Sequence, residues 1–184
     1  LDYLDLYLIH RPVSDVYGSW RAMEELYNEG KIRAIGVSNF EPGRLVDLIM
    51  YNKIRPTVNQ VETHAFCQQI ESAIIMKEYN VQIQAWAPFA EGRNNMFENE
   101  ILVEIANKYT KSVAQVILRW LIQRDVVVIP KSVRKEKMIE NFNIFDFELG
   151  QKDMDKILSL DTDKSAFFFQ GDVETLKTLQ SYKL

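Results

Sequence analysis

The sequence predicts an α/β fold with a parallel sheet: an incomplete (β/α)8 TIM barrel comprising its last five strand–helix units. Three observations carry this. Apolar, strand-sized runs alternate with amphipathic helical runs along the chain. The strands show little polar alternation, as expected of strands buried on both faces in a parallel sheet with helical crossovers. No G-x-G-x-x-G turn follows the first strand, where a doubly wound dinucleotide-binding sheet needs one. A complete barrel takes roughly 250 residues. Five units in 184 residues therefore make its last part. The chain opens with Leu1 rather than methionine, inside or just ahead of a strand, so an N-terminal part is expected to be missing.

The elements follow in order. "YLDLYLIH" (3–10), rich in Leu, Ile and Tyr, reads as a buried strand. "GSWRAMEELYNEG" (18–30) reads as a helix with Ser19 as N-cap, Trp20, Met23, Leu26 and Tyr27 on one face, and Gly30 at its stop. "IRAIGVSNF" (32–40) is the second strand, and Pro42 opens a helix running through Asn52. A strand over 57–62 precedes a helix over 67–79, and "VQIQAWA" (81–87) is a strand followed by the loop "PFAEGRNNMFEN". Helices are expected over 99–109 and 112–124, the second with Val113, Val116, Ile117 and Trp120 at core spacing. "VVVIP" (126–130) is the final buried strand, followed by helices over 134–142 and 151–160 and a Phe-rich tail. Composition shows no break, so residues 1–184 form one domain.

Bulk properties exclude several classes. The chain is 47% hydrophobic and 26% charged, ordinary for a soluble globular protein. A net charge of −4 offers no basic field to nucleic acid or to an anionic membrane. No apolar run approaches the ~20 residues that cross a bilayer. Cys67 is the sole cysteine, which rules out an internal disulfide, and a reducing cytoplasm is the expected compartment. Cys67 reads as a small buried hydrophobe. No metal-ligand cluster is evident.

The chemistry of such a barrel sits at the C-terminal ends of its strands. Those positions hold His10, then Ser38 and Asn39, then Gln60 and Glu62, then Trp86, then Lys131 and Ser132. Buried polar groups cost free energy unless paired, so a purely structural barrel has no reason to gather them at one mouth. Trp86 offers a face for a planar heterocycle. Ser38, Asn39 and Gln60 carry groups suited to a carboxamide. Lys131, Arg134, Lys135 and Lys137 surround a strand end and the first turn of a helix, an arrangement that attracts anions. Together these describe a nicotinamide dinucleotide. His64 reads as a packing residue.

In these motifs the chain resembles the C-terminal part of the aldo-keto reductases, a (β/α)8 NADPH-dependent family. "DLYLIHRP" is similar to the fourth strand with its active-site histidine, and "MEELYNEGKIRAIGVSNF" to the signature through the fifth. "VNQVETH" resembles the sixth strand, "QAWAPFAEG" the seventh, and "IPKSVRKEKMIENFNIFDFEL" the cofactor-phosphate signature. The resemblance implies that His10 hydrogen-bonds the substrate carbonyl oxygen. Ser38, Asn39 and Gln60 would hold the nicotinamide carboxamide, with Trp86 stacked on the ring and Ala87 and Phe89 beside the cofactor. Lys131, Ser132, Val133 and Arg134 would meet the adenosine 2′-phosphate of NADP(H), and Lys137, Glu140 and Asn141 would complete the adenosine site. Lys137 departs from the family's usual arginine, replacing a planar fork by a point charge. The family's proton-donating tyrosine, its lysine and its aspartate belong to the first three units, and Tyr3 and Tyr7 lack that context.

The expected function is therefore NADPH-dependent reduction of a small-molecule carbonyl substrate. The whole protein is expected to be a monomer or weak dimer. Residues 1–184 alone are expected to be inactive and to self-associate through open strand edges. A non-enzymatic, nucleotide-binding or interaction remnant is the alternative. A lyase or isomerase barrel is a third possibility, but it wants acid–base groups at several strand ends, and only Glu62 comes close.

Overall fold

The computed structural model describes residues 1–167 and 173–181. Its strands are β1 (Tyr7–Ile9), β2 (Ile35–Ser38), β3 (Val58–Glu62), β4 (Gln82–Trp86) and β5 (Val127–Val128). Its helices are α1 (Val16–Asn28), α2 (Pro42–Met50), α3 (Ile70–Glu78), α4 (Glu100–Tyr109), α5 (Val113–Gln123), α6 (Lys135–Phe142), α7 (Gln151–Leu158) and α8 (Val173–Ser181). The strands lie side by side in chain order, every neighbouring pair parallel, with β1 and β5 at the two edges. Sheet and crossovers match an open segment of a barrel.

Register sorts the side chains onto two faces. Ile35, Val37, Val61, Ile83 and Ala85 are buried, forming one core with Trp20, Leu45, Leu48, Met76, Ile105, Val116 and Ile117 from the helices. The other face carries Leu8, Gly36 and Val58 in one row and Ser38, Gln60 and Gln84 in the next. Gly36 is required there: a Cβ would lie 2.7 Å from both the Val58 carbonyl oxygen and a Leu8 methyl. Only β2 is buried along its whole length. β3 and β4 alternate, because their glutamines face the unfilled inner side of the sheet.

The two edge strands differ most from expectation. Only three residues of the 3–10 run are in the strand, and Tyr7 is 48% exposed. The "VVVIP" strand shortens to two residues, with Val127 at 43% and Ile129 at 46% exposure. Neither is buried, since each lacks a neighbour on one side. At α1, Asp15 and not Ser19 is the N-cap, accepting a bond from the Gly18 amide at 2.8 Å. The cap lies four residues earlier than expected, and on the expected core face Leu26 is only half-buried and Tyr27 exposed. Gly30 does terminate the turn, with φ +74°. The helix expected over 67–79 begins only at Ile70, because Thr63–Gln68 form a fully buried loop. The loop after β4 contains 3-10 turns, Ala90–Glu98, broken by five residues of non-helical backbone.

Candidate active site

The C-terminal edge of the sheet brings His10, Ser38, Asn39, Gln60 and Trp86 together, and Asn39 is the hub. It follows β2 with φ +62°, a left-handed conformation that asparagine tolerates better than most residues. Its Nδ2 donates to the His10 carbonyl at 3.0 Å and to the Ser38 hydroxyl at 3.0 Å. Its Oδ1 accepts from the Trp86 indole at 2.8 Å. One buried amide thus ties the ends of three strands. The His10 ring is exposed, one residue past β1. The Ser38 hydroxyl donates to the Gln60 carbonyl at 2.8 Å, and Gln60 Nε2 donates to Gln84 Oε1 at 2.6 Å. Gln84 was absent from the sequence-level set, although its place two residues before Trp86 put it on the same face.

Beyond Trp86 the backbone curls tightly. Ala87 and Ala90 hold φ of +47° and +46°, and Glu91, Gly92, Asn94 and Asn95 are also left-handed. For alanine this costs on the order of 1 kcal/mol per residue. The curl carries Phe89 onto a cavity of about 460 Å³. Lys131, Ser132, Arg134, Lys137, Glu140 and Asn141 line the same cavity, and Phe89 follows Trp86 by three residues in the chain. Val133 does not line it and is 85% exposed.

Sequence reasoning missed the far wall: Phe97 and the first turn of α5, Ser112–Ala114. Its signal was present, since "SVAQ" is a capping box in which Ser112 and Gln115 satisfy each other's backbone amides. Among the described residues Lys131 and Arg134 make no ion pair, whereas Lys137 Nζ lies 2.6 Å from Glu140 Oε2. Burial pushes the Glu140 carboxyl up, but the Lys137 ammonium and the nearby Ser112 hydroxyl outweigh it and hold it below the usual carboxylate value. Glu140 Oε1 is buried without a hydrogen bond of good geometry. An unmatched acceptor beside two uncommitted cations suits a ligand with both N–H donors and a phosphate.

His64 is fully buried, and its Nε2 lies 2.9 Å from Glu62 Oε1. Cys67 is buried, with its thiol pushed up to about 12 by desolvation and by the charges of Glu62, Asp161 and Asp163. Both side chains pack, as the sequence suggested. Of the three consecutive phenylalanines in the tail, Phe167 packs on Trp86, and Phe168 and Phe169 lie outside the described residues. Among the described residues no group of acidic, histidine and cysteine side chains is arranged to hold a metal, and no helix is long and apolar enough to cross a membrane.

Comparison with known proteins accords with this geometry. Residues 1–162 match the model of the aldo/keto reductase family, and the chain belongs to that family. It is 53% identical over 165 residues to glyoxal reductase of Bacillus subtilis, covering 89% of this chain and 59% of that protein. A solved aldo-keto reductase from a Medee basin deep-sea metagenome library superposes with TM-score 0.91 at 43% identity, over 94% of this chain and 65% of that one. A Bombyx mori aldo-keto reductase in complex with NADP gives TM-score 0.86 at 31% identity, over 96% and 62% of the two chains. The chain thus spans about three fifths of the length of the curated relative.

Proposed function

We propose that the protein carrying this chain is an NADPH-dependent reductase of aldehydes or ketones, working in the cytoplasm on a closed (β/α)8 barrel of which these five units are the last. The observation that carries this is the meeting of Lys131, Ser132, Arg134, Lys137, Glu140 and Asn141 around one cavity that Phe89, three residues after Trp86, also lines. The NADP bound to the Bombyx mori relative supports the cofactor, and the name of the Bacillus subtilis relative supports small dicarbonyls as test substrates.

Lys131 and Arg134, with Ser132 and the Val133 amide, would meet the 2′-phosphate. Lys137, Glu140 and Asn141 would hold the adenosine, with the Glu140 Oε1 acceptor taking an N–H. Asn39, Gln60 and Ser38 would orient the carboxamide against Trp86, with Ala87 shaping the turn beside it. When bound, the nicotinamide supplies the hydride. His10 donates a hydrogen bond to the carbonyl oxygen as negative charge grows on it, a contribution of typically ~3 kcal/mol. The tyrosine and lysine that protonate the alkoxide in this family have no counterpart in residues 1–184, so that stretch alone is proposed to be inactive.

The test is His10→Ala in the full protein. We expect kcat with glyoxal to fall about a hundredfold or more while NADPH affinity stays within a factor of a few. Unchanged kcat in the folded variant would remove His10 from the chemistry.

A further inference from the structure

Glu62 takes no part in the reading above, yet it is 5% exposed at the end of β3, directly opposite Trp86 in the register. A buried carboxylate is costly unless its acceptors are filled. Here they are filled from two directions. On the strand side, His64 Nε2 lies 2.9 Å away, and His64 Nδ1 accepts from the Phe66 amide at 3.2 Å, which leaves Nε2 as the proton-bearing nitrogen aimed at Glu62. On the other side, the Ser165 hydroxyl donates to Oε2 and the Ala166 amide donates to Oε1 at 2.8 Å. A hundred residues separate the partners in sequence.

What the anchor holds is a strap over the sheet end. The strap begins where the Thr162 amide donates to the Phe66 carbonyl at 3.0 Å, and it ends with Phe167 at 5.2 Å from the Trp86 ring. From the β4–α4 loop, Arg93 donates to the Ala166 carbonyl at 2.8 Å and stacks its guanidinium 4.2 Å from the Phe167 ring centre. The strap and the loop therefore meet beside the aromatic platform. Apolar packing alone could dock a tail. A carboxylate held by His64 and taking two directed donors from the strap fixes the strap's position in a way apolar contact cannot.

We propose that Glu62, oriented by His64, is a positioning residue that sets substrate size. By clamping Ser165 and Ala166 it holds Phe167, backed by Arg93, as a wall beside Trp86 that limits the substituent a carbonyl substrate can carry. This rests on the carbonyl-reductase reading and names the part of the site that selects the substrate.

Two measurements on the full protein test it. In Ser165→Ala the Ala166 and Phe167 amides should exchange with solvent about tenfold faster, the effect of losing a hydrogen bond to a charged acceptor. The same variant, and Phe167→Ala, should raise the kcat/KM ratio of phenylglyoxal over glyoxal about tenfold. In Ser165→Ala the gain should come from a lower KM for phenylglyoxal, with kcat for glyoxal unchanged. Unaltered exchange with normal turnover would overturn the anchor. Faster exchange with an unaltered substrate ratio would overturn the sizing role. Absence of turnover in the unmodified protein would instead contradict the reductase reading, and the sizing role with it.

Discussion

Glu62 shows how a single residue's chemistry depends on partners far away in the chain. Burial pushes its carboxyl up, but the hydrogen bonds from His64, Ser165 and the Ala166 amide outweigh that and hold it below its ordinary 4.5. A group that ionises more readily folded than unfolded contributes stability above its ordinary value and loses it as pH falls through the depressed one. Glu62 should therefore make its full contribution to thermal stability near neutrality, independent of pH there, and lose it progressively below about pH 4.5. Glu62→Gln should flatten that step, and parallel acid profiles for the two proteins would contradict the assignment. In the sequence Glu62 was visible only as a carboxylate at a strand end. Its partner Ser165 lies 103 residues away and no local pattern connects them. Asn39 was legible as a polar residue at a strand end, whereas its bonds to His10 and Trp86 depend on strand register and were not.

At the scale of elements, strand and helix order was readable because apolar runs and helical periodicity are local properties. Boundaries were not, because caps compete. Asp15 and Ser19 both resemble N-caps, and the structure chooses Asp15, with the Ser19 hydroxyl donating instead to the Asp15 carbonyl at 2.8 Å. Asp15→Ala should cost about 1 kcal/mol in a urea titration, and Ser19→Ala clearly less. The reverse order would place the helix start at Ser19 instead. The 67–79 helix started late for a different reason: the buried Thr63–Gln68 loop docks the strap and α7. There Gln68 Nε2 donates to the Ile157 carbonyl at 2.7 Å. Tertiary demand overrode local propensity there. The capping box at Ser112 was legible, but that it would wall the cavity lined by Lys131 and Arg134 required knowing that α5 faces α6.

On the scale of the whole molecule, the sheet is open at both sides. Beside β5 an apolar groove of about 540 Å³ is lined by Val126, Val128, Met138, Phe142 and Phe145. Phe142 is 77% exposed and Phe145 63%. Exposed parallel edges with apolar flanks pair with whatever is available. Residues 1–184 expressed alone should therefore elute as oligomers or aggregate in size-exclusion chromatography. A monodisperse monomer would contradict this reading of the edges. The partial barrel was legible from unit count and chain length, which are global sums. The inner face was misjudged, because the buried-strand rule assumes a filled interior, and Gln60, Gln82 and Gln84 face an open one.

The central claim is that this chain supplies the cofactor side of a carbonyl reductase, with a 2′-phosphate held by Lys131 and Arg134. Its most direct test is the affinity of the full protein for NADPH and NADH, each measured by tryptophan fluorescence titration, before and after Arg134→Ala. The account predicts tighter binding of NADPH, and an Arg134→Ala loss of about tenfold or more for NADPH against little change for NADH, as expected when one charge-assisted phosphate contact is removed. Equal losses for the two cofactors would contradict it.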